Sequence, residues 1–191
     1  MFLNNKNITI KNSVEYVNSL FSKTTKKTIA ISIHPNTEDL IESVEVLDAM
    51  IEFVILNKDR YNFVIFKPNI DAGNGFLRER LIKLSKFTGV KLVSGLDPVS
   101  YAMVLSASSI LIGNSSSFIR ESSTIGKPAI IVGNRQRGRD VEENVTFVND
   151  LGRLEYFVRQ KINKKYKQTT TYGTGDSGIK IMQKLKEIYY V

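Results

Sequence analysis

A single histidine, a run of serines with a glutamate one turn on, and three arginines within five residues are the side chains best suited to chemistry in this chain. The sharpest pattern is Gly113-Asn114-Ser115-Ser116-Ser117-Phe118-Ile119-Arg120-Glu121. Gly113 and Asn114 allow a tight turn, and Ser115–Ser117 open a helix. The first N–H groups of a helix lack intrahelical acceptors and carry the positive end of its dipole. Serine hydroxyls beside them complete a small anion site. Glu121 follows Ser117 by one helical turn and shares its face, and helical side chains lean back toward the N-terminus. A carboxylate placed there can accept hydrogen bonds from two neighbouring hydroxyls, such as the vicinal diol of a ribose. The plain alternative makes the serines ordinary N-caps and Glu121 a solvated surface residue. The spacing is not that of a Walker phosphate loop.

His34 is followed by Pro35, which restricts it to extended geometry. Arg135, Arg137 and Arg139 lie between and beside glycines after a predicted strand. They can clamp a diphosphate by charge-assisted hydrogen bonds, or stand as a solvated loop. Lys161, Lys164, Lys165 and Lys167 read as a solvated basic run.

These residues need a scaffold, and the hydrophobic pattern supplies one. Strands are predicted at Thr28–Ile33, Asn62–Phe66, Val90–Val93, Ser109–Ile112, Pro128–Val132 and Asn144–Val148. Helical spacing covers Glu38–Leu56, Phe76–Phe87, Pro98–Ser106, Ser115–Ile125, Leu151–Ile162 and Gly178–Tyr190. Strand–helix alternation with nearly continuous apolar strands predicts an α/β fold, a doubly wound parallel sheet covered on both faces. Ligands of such sheets bind outside the carboxyl ends of the strands. Five polar segments fall at that edge: His34–Asn36, Pro68–Gly73, Ser94–Asp97, Gly113–Ser117 and Gly133–Arg139. Their succession favours a phosphate-bearing ligand. Asn163–Asp176 reads as a loop. Residues 1–27 read as a polar leader or linker with a short helix at Ser13–Phe21, and residues 28–191 as the domain.

Composition sets the outer limits. A length of 191 residues suits one domain. With no cysteine, disulfides, iron–sulfur clusters, cysteine zinc sites and thiol catalysis are excluded, and one histidine excludes a histidine-rich metal site. No apolar run approaches the roughly 18 residues of a membrane span. The opening MFLNNKNITI lacks the pattern of a signal peptide. A soluble, cytoplasmic protein is expected. The net charge of +8 suits an anionic partner, whether nucleic acid, membrane or phosphate ligand. Nucleic acid is disfavoured because the lysines are spread and the aromatics occupy apolar positions.

The motifs HPN (34–36), PNIDAG (68–73), IGNSSSFIRE (112–121), GKPAIIVGNRQRGR (126–139), EENV (142–145) and YGTGDSG (172–178) together resemble the UDP-N-acetylglucosamine 2-epimerases. GNSSS and RQRGR are closer to the hydrolysing branch, which feeds sialic acid synthesis. The resemblance covers residues 28 to 191. It implies a Rossmann-like domain equivalent to the C-terminal, nucleotide-binding half of a GT-B fold. The other half supplies the acid and base carboxylates in that family and is not in this chain, which implies a truncated piece, a gene remnant or half of a split enzyme with a partner chain.

Carried over by resemblance, His34 is the catalytic candidate, near the diphosphate and reacting sugar. Asn69 contacts the ligand, Leu96 meets the uracil through its backbone, and Ser115 and Ser116 bind the phosphates. Glu121 binds the ribose hydroxyls and Arg135 the nucleotide. Asp71 and Gly73 belong to the same family loop, and Phe118 replaces a glycine often found there. The implied ligands are UDP and UDP-N-acetylglucosamine, with no cofactor and no metal. The alternative from another class is the donor-binding domain of a GT-B glycosyltransferase.

Overall fold

A computed structural model describes residues 8–21, 25–68 and 74–189. Six strands form one parallel sheet: β1 (Lys27–Ser32), β2 (Tyr61–Phe66), β3 (Val90–Val93), β4 (Ile110–Gly113), β5 (Ala129–Val132) and β6 (Val145–Val148). Their order is β3-β2-β1-β4-β5-β6, and every pairing is parallel. This is the doubly wound order in which the winding reverses between β1 and β4.

Side chains alternate across each strand and build two core layers. Ile29, Ile31, Phe63, Ile65, Ile110, Ile112, Ile130 and Val132 face one side. Ala30, Val64, Phe66, Leu111, Ala129 and Ile131 face the other. The first layer is closed by α2 (Leu40–Asn57), α3 (Asn74–Leu84) and α6 (Leu154–Lys161), through residues such as Leu47, Leu81 and Val158. The second is closed by α1 (Ile10–Ser19), α4 (Pro98–Ala107) and α5 (Ser117–Ile125), through Val17, Leu105 and Phe118. Burial on both faces explains why the strands read as continuous apolar runs rather than alternating ones.

Caps fix where the helices begin. Asp39 accepts from the Glu42 N–H and starts α2. Asp97 accepts from the N–H groups of Val99 and Ser100 and starts α4, so this acidic residue of the Ser94–Asp97 segment serves the backbone. Asp150 accepts from the Gly152 N–H, and the predicted Leu151–Ile162 helix opens as a 3-10 turn (Leu151–Arg153) before α6. The expected loop at Asn163–Asp176 contains no helix or strand, and α7 follows (Ser177–Tyr189).

The structure differs from the sequence reading at the N-terminal stretch. Residues 1–27 are read above as lying outside the core, yet Val17 and Phe21 are buried in the second layer, where α1 packs on α4. The short helix presents one apolar stripe and a polar remainder, and α4 offers the complementary surface. Thr9 caps it by accepting from the Asn12 N–H.

Candidate functional site

Gly113 ends β4 with φ of +153°, and a Cβ there would lie 1.9 Å from the carbonyl oxygen of Ser32. Only glycine lets β4 approach β1 so closely at its carboxyl end. The chain then turns into Asn114, which is buried and joins the two strand ends. The His34 N–H donates to Asn114 Oδ1 at 2.8 Å, and Asn114 Nδ2 donates to the His34 carbonyl at 2.8 Å. The Asn114 carbonyl accepts from Arg135 Nη1 at 3.1 Å and from Gln136 Nε2 at 2.9 Å. One asparagine therefore ties the loops after β1, β4 and β5 together at the point where the winding reverses.

His34 lies buried in this junction, with Nε2 3.2 Å from Ser32 Oγ. Ser115 is buried and Ser116 half-buried beside it. Ser116 occupies the N-cap position of α5 but its side chain makes no cap hydrogen bond. The ordinary-cap explanation therefore fails for this serine. Phe118 points the other way, fully buried against Phe66, with ring centroids 6.3 Å apart. Its bulk stands in the core and not at the mouth of the helix. Arg135 is anchored at one nitrogen and otherwise exposed, while Arg137 and Arg139 are exposed.

Glu121 lines a separate part of the same edge, a cleft of about 410 Å³ bounded by Pro98, Tyr101, Arg120, Thr124 and the Tyr172–Ser177 loop. That size suits a small ligand. Burial pushes the Glu121 carboxyl above its usual range, and the charge of Arg120 opposes this. Its Oε2 is buried with no hydrogen-bond partner. Leu96 is half-buried at the approach to α4 and packs against the second core layer. Asn69, with Asp71 and Gly73, lies outside the described residues.

The structure thus gathers His34, Ser115 and Arg135 around Asn114, and places Glu121 across the start of α5 in the adjoining cleft. Sequence reasoning missed Asn114 and Gln136 as joining residues and Tyr101 and Tyr172 as walls of the cleft. Tyr172 Oη donates to the Asp140 carbonyl at 2.9 Å and fastens that wall. The wall also carries the spacing GxGxxG over Gly173–Gly178, where the sequence reading finds no such fingerprint. It follows no strand, so it is not the dinucleotide fingerprint. Asn144 of the EENV motif is buried in a structural network, donating to Ser122 Oγ and the Lys127 carbonyl and accepting from Ser123 Oγ.

Residues 3–186 match the UDP-N-acetylglucosamine 2-epimerase family. The chain belongs to that family. A hydrolysing UDP-N,N'-diacetylbacillosamine 2-epimerase of Legionella pneumophila is 26% identical over 166 residues, covering 85% of this chain and 43% of that protein. Among solved structures, the UDP-GlcNAc 2-epimerase of Methanocaldococcus jannaschii, in complex with UDP-GlcNAc and UDP, superposes with a TM-score of 0.69 at 16% identity. It covers 97% of this chain and 50% of that one. The Neisseria meningitidis enzyme bound to UDP-GlcNAc gives 0.68 at 19% identity, covering 93% of this chain and 49% of that one. The chain spans under half the length of that curated relative and about half of those solved chains. No described helix is long and apolar enough to cross a membrane.

Proposed function

We propose that this epimerase domain is the nucleotide-binding half of a hydrolysing UDP-N-acetylglucosamine 2-epimerase. The observation that carries the reading is the Glu121 carboxylate, with an unpartnered oxygen, in a cleft beside a helix start whose cap serine does not cap. A vicinal diol and a diphosphate are the two groups such a pair suits. The 2-epimerase relative from Legionella is of the hydrolysing type, which supports release of UDP rather than return of a nucleotide sugar. That relative's name gives a UDP-linked N,N'-diacetylated sugar. UDP-N-acetylglucosamine is the reading kept for this chain, with N-acetylmannosamine, a sialic acid precursor, as product.

In this reading the reaction is an anti elimination. A base removes the proton at C2, the bond from C1 to the diphosphate oxygen breaks, and 2-acetamidoglucal and UDP form. Addition of water across the double bond then gives N-acetylmannosamine. The groups proposed to steady the departing diphosphate are the α5 N–H groups, Ser115, Ser116 and Arg135, because negative charge develops there in the transition state. His34 sits on this nucleotide side, where a neutral or protonated imidazole can stabilise the leaving group or carry a proton. Leu96 and Asn69 are assigned to the uracil and ligand sides. The carboxylates that act on C2 belong to the part of the family's length that this chain does not span. Groups acting as a unit lose most of the rate when one is removed.

The test is to incubate the purified 191-residue chain with UDP-N-acetylglucosamine and measure free UDP and N-acetylmannosamine. No turnover is expected from the chain alone, and turnover is expected when the remaining half is supplied. Full turnover by the chain alone, abolished by His34→Ala, would show the single domain to be a complete enzyme.

A further inference from the structure

The amino end of the sheet, opposite the edge that carries His34 and Glu121, holds a second cavity. It encloses about 460 Å³ between the starts of β2 and β3, and its walls include Lys26, Asn62, Lys86, Phe87, Gly89 and Lys91. That volume suits a small molecule. None of these residues takes part in the reaction as described. Among the described residues no aspartate or glutamate lines the cavity. Lys86 and Lys91 are exposed at its rim and, among the described residues, form no ion pair. Lys26 Nζ donates to the Lys58 carbonyl at 3.3 Å, and Lys58 Nζ stands 5.8 Å from the centre of the Phe87 ring. Cations of one sign around a recess raise the local concentration of anions.

The floor of the cavity breaks the pattern of the sheet. Every residue of β2 is buried, and Asn62 is the one carboxamide among its aromatic and aliphatic neighbours. Strand alternation puts Asn62 on the face of Val64 and Phe66, toward the second core layer. Asn62 is 3% exposed, and its Nδ2 has no hydrogen-bond partner. Gly89, with φ of +82°, carries the chain past it into β3, and the Gly89 carbonyl accepts from the Phe63 N–H at 2.8 Å. A donor buried without an acceptor is costly, and native proteins rarely keep one without a use.

We propose that this cavity is a second ligand site, for a small organic anion whose carboxylate or phosphate oxygens accept from Asn62 and pair with Lys86 and Lys91. Such oxygens are pure acceptors, which is what an amide donor and two ammonium groups require. The terminal amide torsion of asparagine is soft, so a small turn brings Nδ2 to the cavity. The lysines close on the anion from the rim on flexible stems. Phe87 adds an exposed apolar wall, which suits a carbon skeleton beside the acid group better than a bare ion. A nucleic acid fits less well, because the amide lies at the floor of a recess of small-molecule size. The six residues of β2 set this site roughly 17–20 Å from the nucleotide edge, so it stands apart from the reading above.

The test titrates the full 191-residue chain with phenyl phosphate, with benzoate, and with neutral benzamide as control. NMR follows the Asn62 side-chain amide, assigned by its loss in Asn62→Leu, and the backbone amides of Gly89 and Lys91. Phenyl phosphate or benzoate is expected to shift all three saturably, and benzamide to leave them in place. The stronger of the two anions tells a phosphate site from a carboxylate site. Lys86→Gln combined with Lys91→Gln is expected to weaken binding about tenfold. These two positions are exposed, so the test holds even if Asn62→Leu fails to fold. No shift at Asn62 with either anion, or an equal response to benzamide, would overturn the proposal. Shifts confined to Ser115 and Ser116 would put the anion at the other edge and overturn it as well. Shifts at the rim lysines from an oligonucleotide, with none from either small anion, would make this a nucleic-acid face and overturn the small-molecule site.

Discussion

Glu121 carries a conflict between stability and binding. Burial raises its pKa in the folded chain. A group raised in this way contributes stability that is complete below its unfolded pKa and lost as pH rises through the folded one. The free chain is therefore expected to lose thermal stability as pH climbs above the ordinary carboxylate range, and Glu121→Gln to flatten that slope. Melting curves from about pH 4 to 8 check this, and parallel curves for the two proteins would contradict it. The same carboxylate should favour ligand binding. Glu121→Ala is expected to weaken UDP by roughly 1.5–3 kcal/mol, the worth of a charged hydrogen bond, and the 2′,3′-dideoxy analogue far less. Equal losses in calorimetry would remove Glu121 from the ribose. Gly113 is a different kind of residue, needed for its lack of a Cβ. With the Ser32 oxygen 1.9 Å from where a Cβ would stand, Gly113→Ala should cost at least about 2 kcal/mol in urea denaturation. Of these side chains, Glu121 was legible because helical periodicity puts it one turn from the serines. Asn114 and Tyr101 were not. Asn114 acts through His34, 80 positions away in sequence, and a tyrosine in an apolar helix reads as core.

The terminal helices α1 and α7 invert what polarity alone suggests. α1 lies in a polar, lysine-rich stretch, yet it buries Val17, and Phe21 just beyond it is buried too. α7 carries Ile181, Met182, Leu185 and Ile188 at helical spacing, yet all are exposed. Phe21→Ala should therefore cost about 3 kcal/mol, as core phenylalanines do. Leu185→Ala should stay within about 0.5 kcal/mol. Chemical denaturation of the two variants checks the contrast, and similar losses would contradict it. The six strands and the helices between them were legible because each apolar run ends at a turn signal. The burial of α1 was not, since its partner α4 lies about 90 residues on and nothing local marks that contact.

At the scale of the molecule, the doubly wound order brings the loops after β1, β4 and β5 to one edge, and Asn114 ties them. The sheet class and that edge could be read from strand–helix alternation. The cleft could not, because its far wall comes from the Tyr172–Ser177 loop, fastened to Asp140 by a single tyrosine. In the proposed function this edge receives UDP, with the diphosphate at the α5 start and the ribose at Glu121. Amide-shift mapping of the full chain titrated with UDP tests it most directly. Shifts centred on Ser115, Ser116, Glu121 and Arg135, spreading to Tyr101 and Tyr172, are the expected result; shifts confined to the lysine-rich stretch from Lys161 to Lys167 would contradict it.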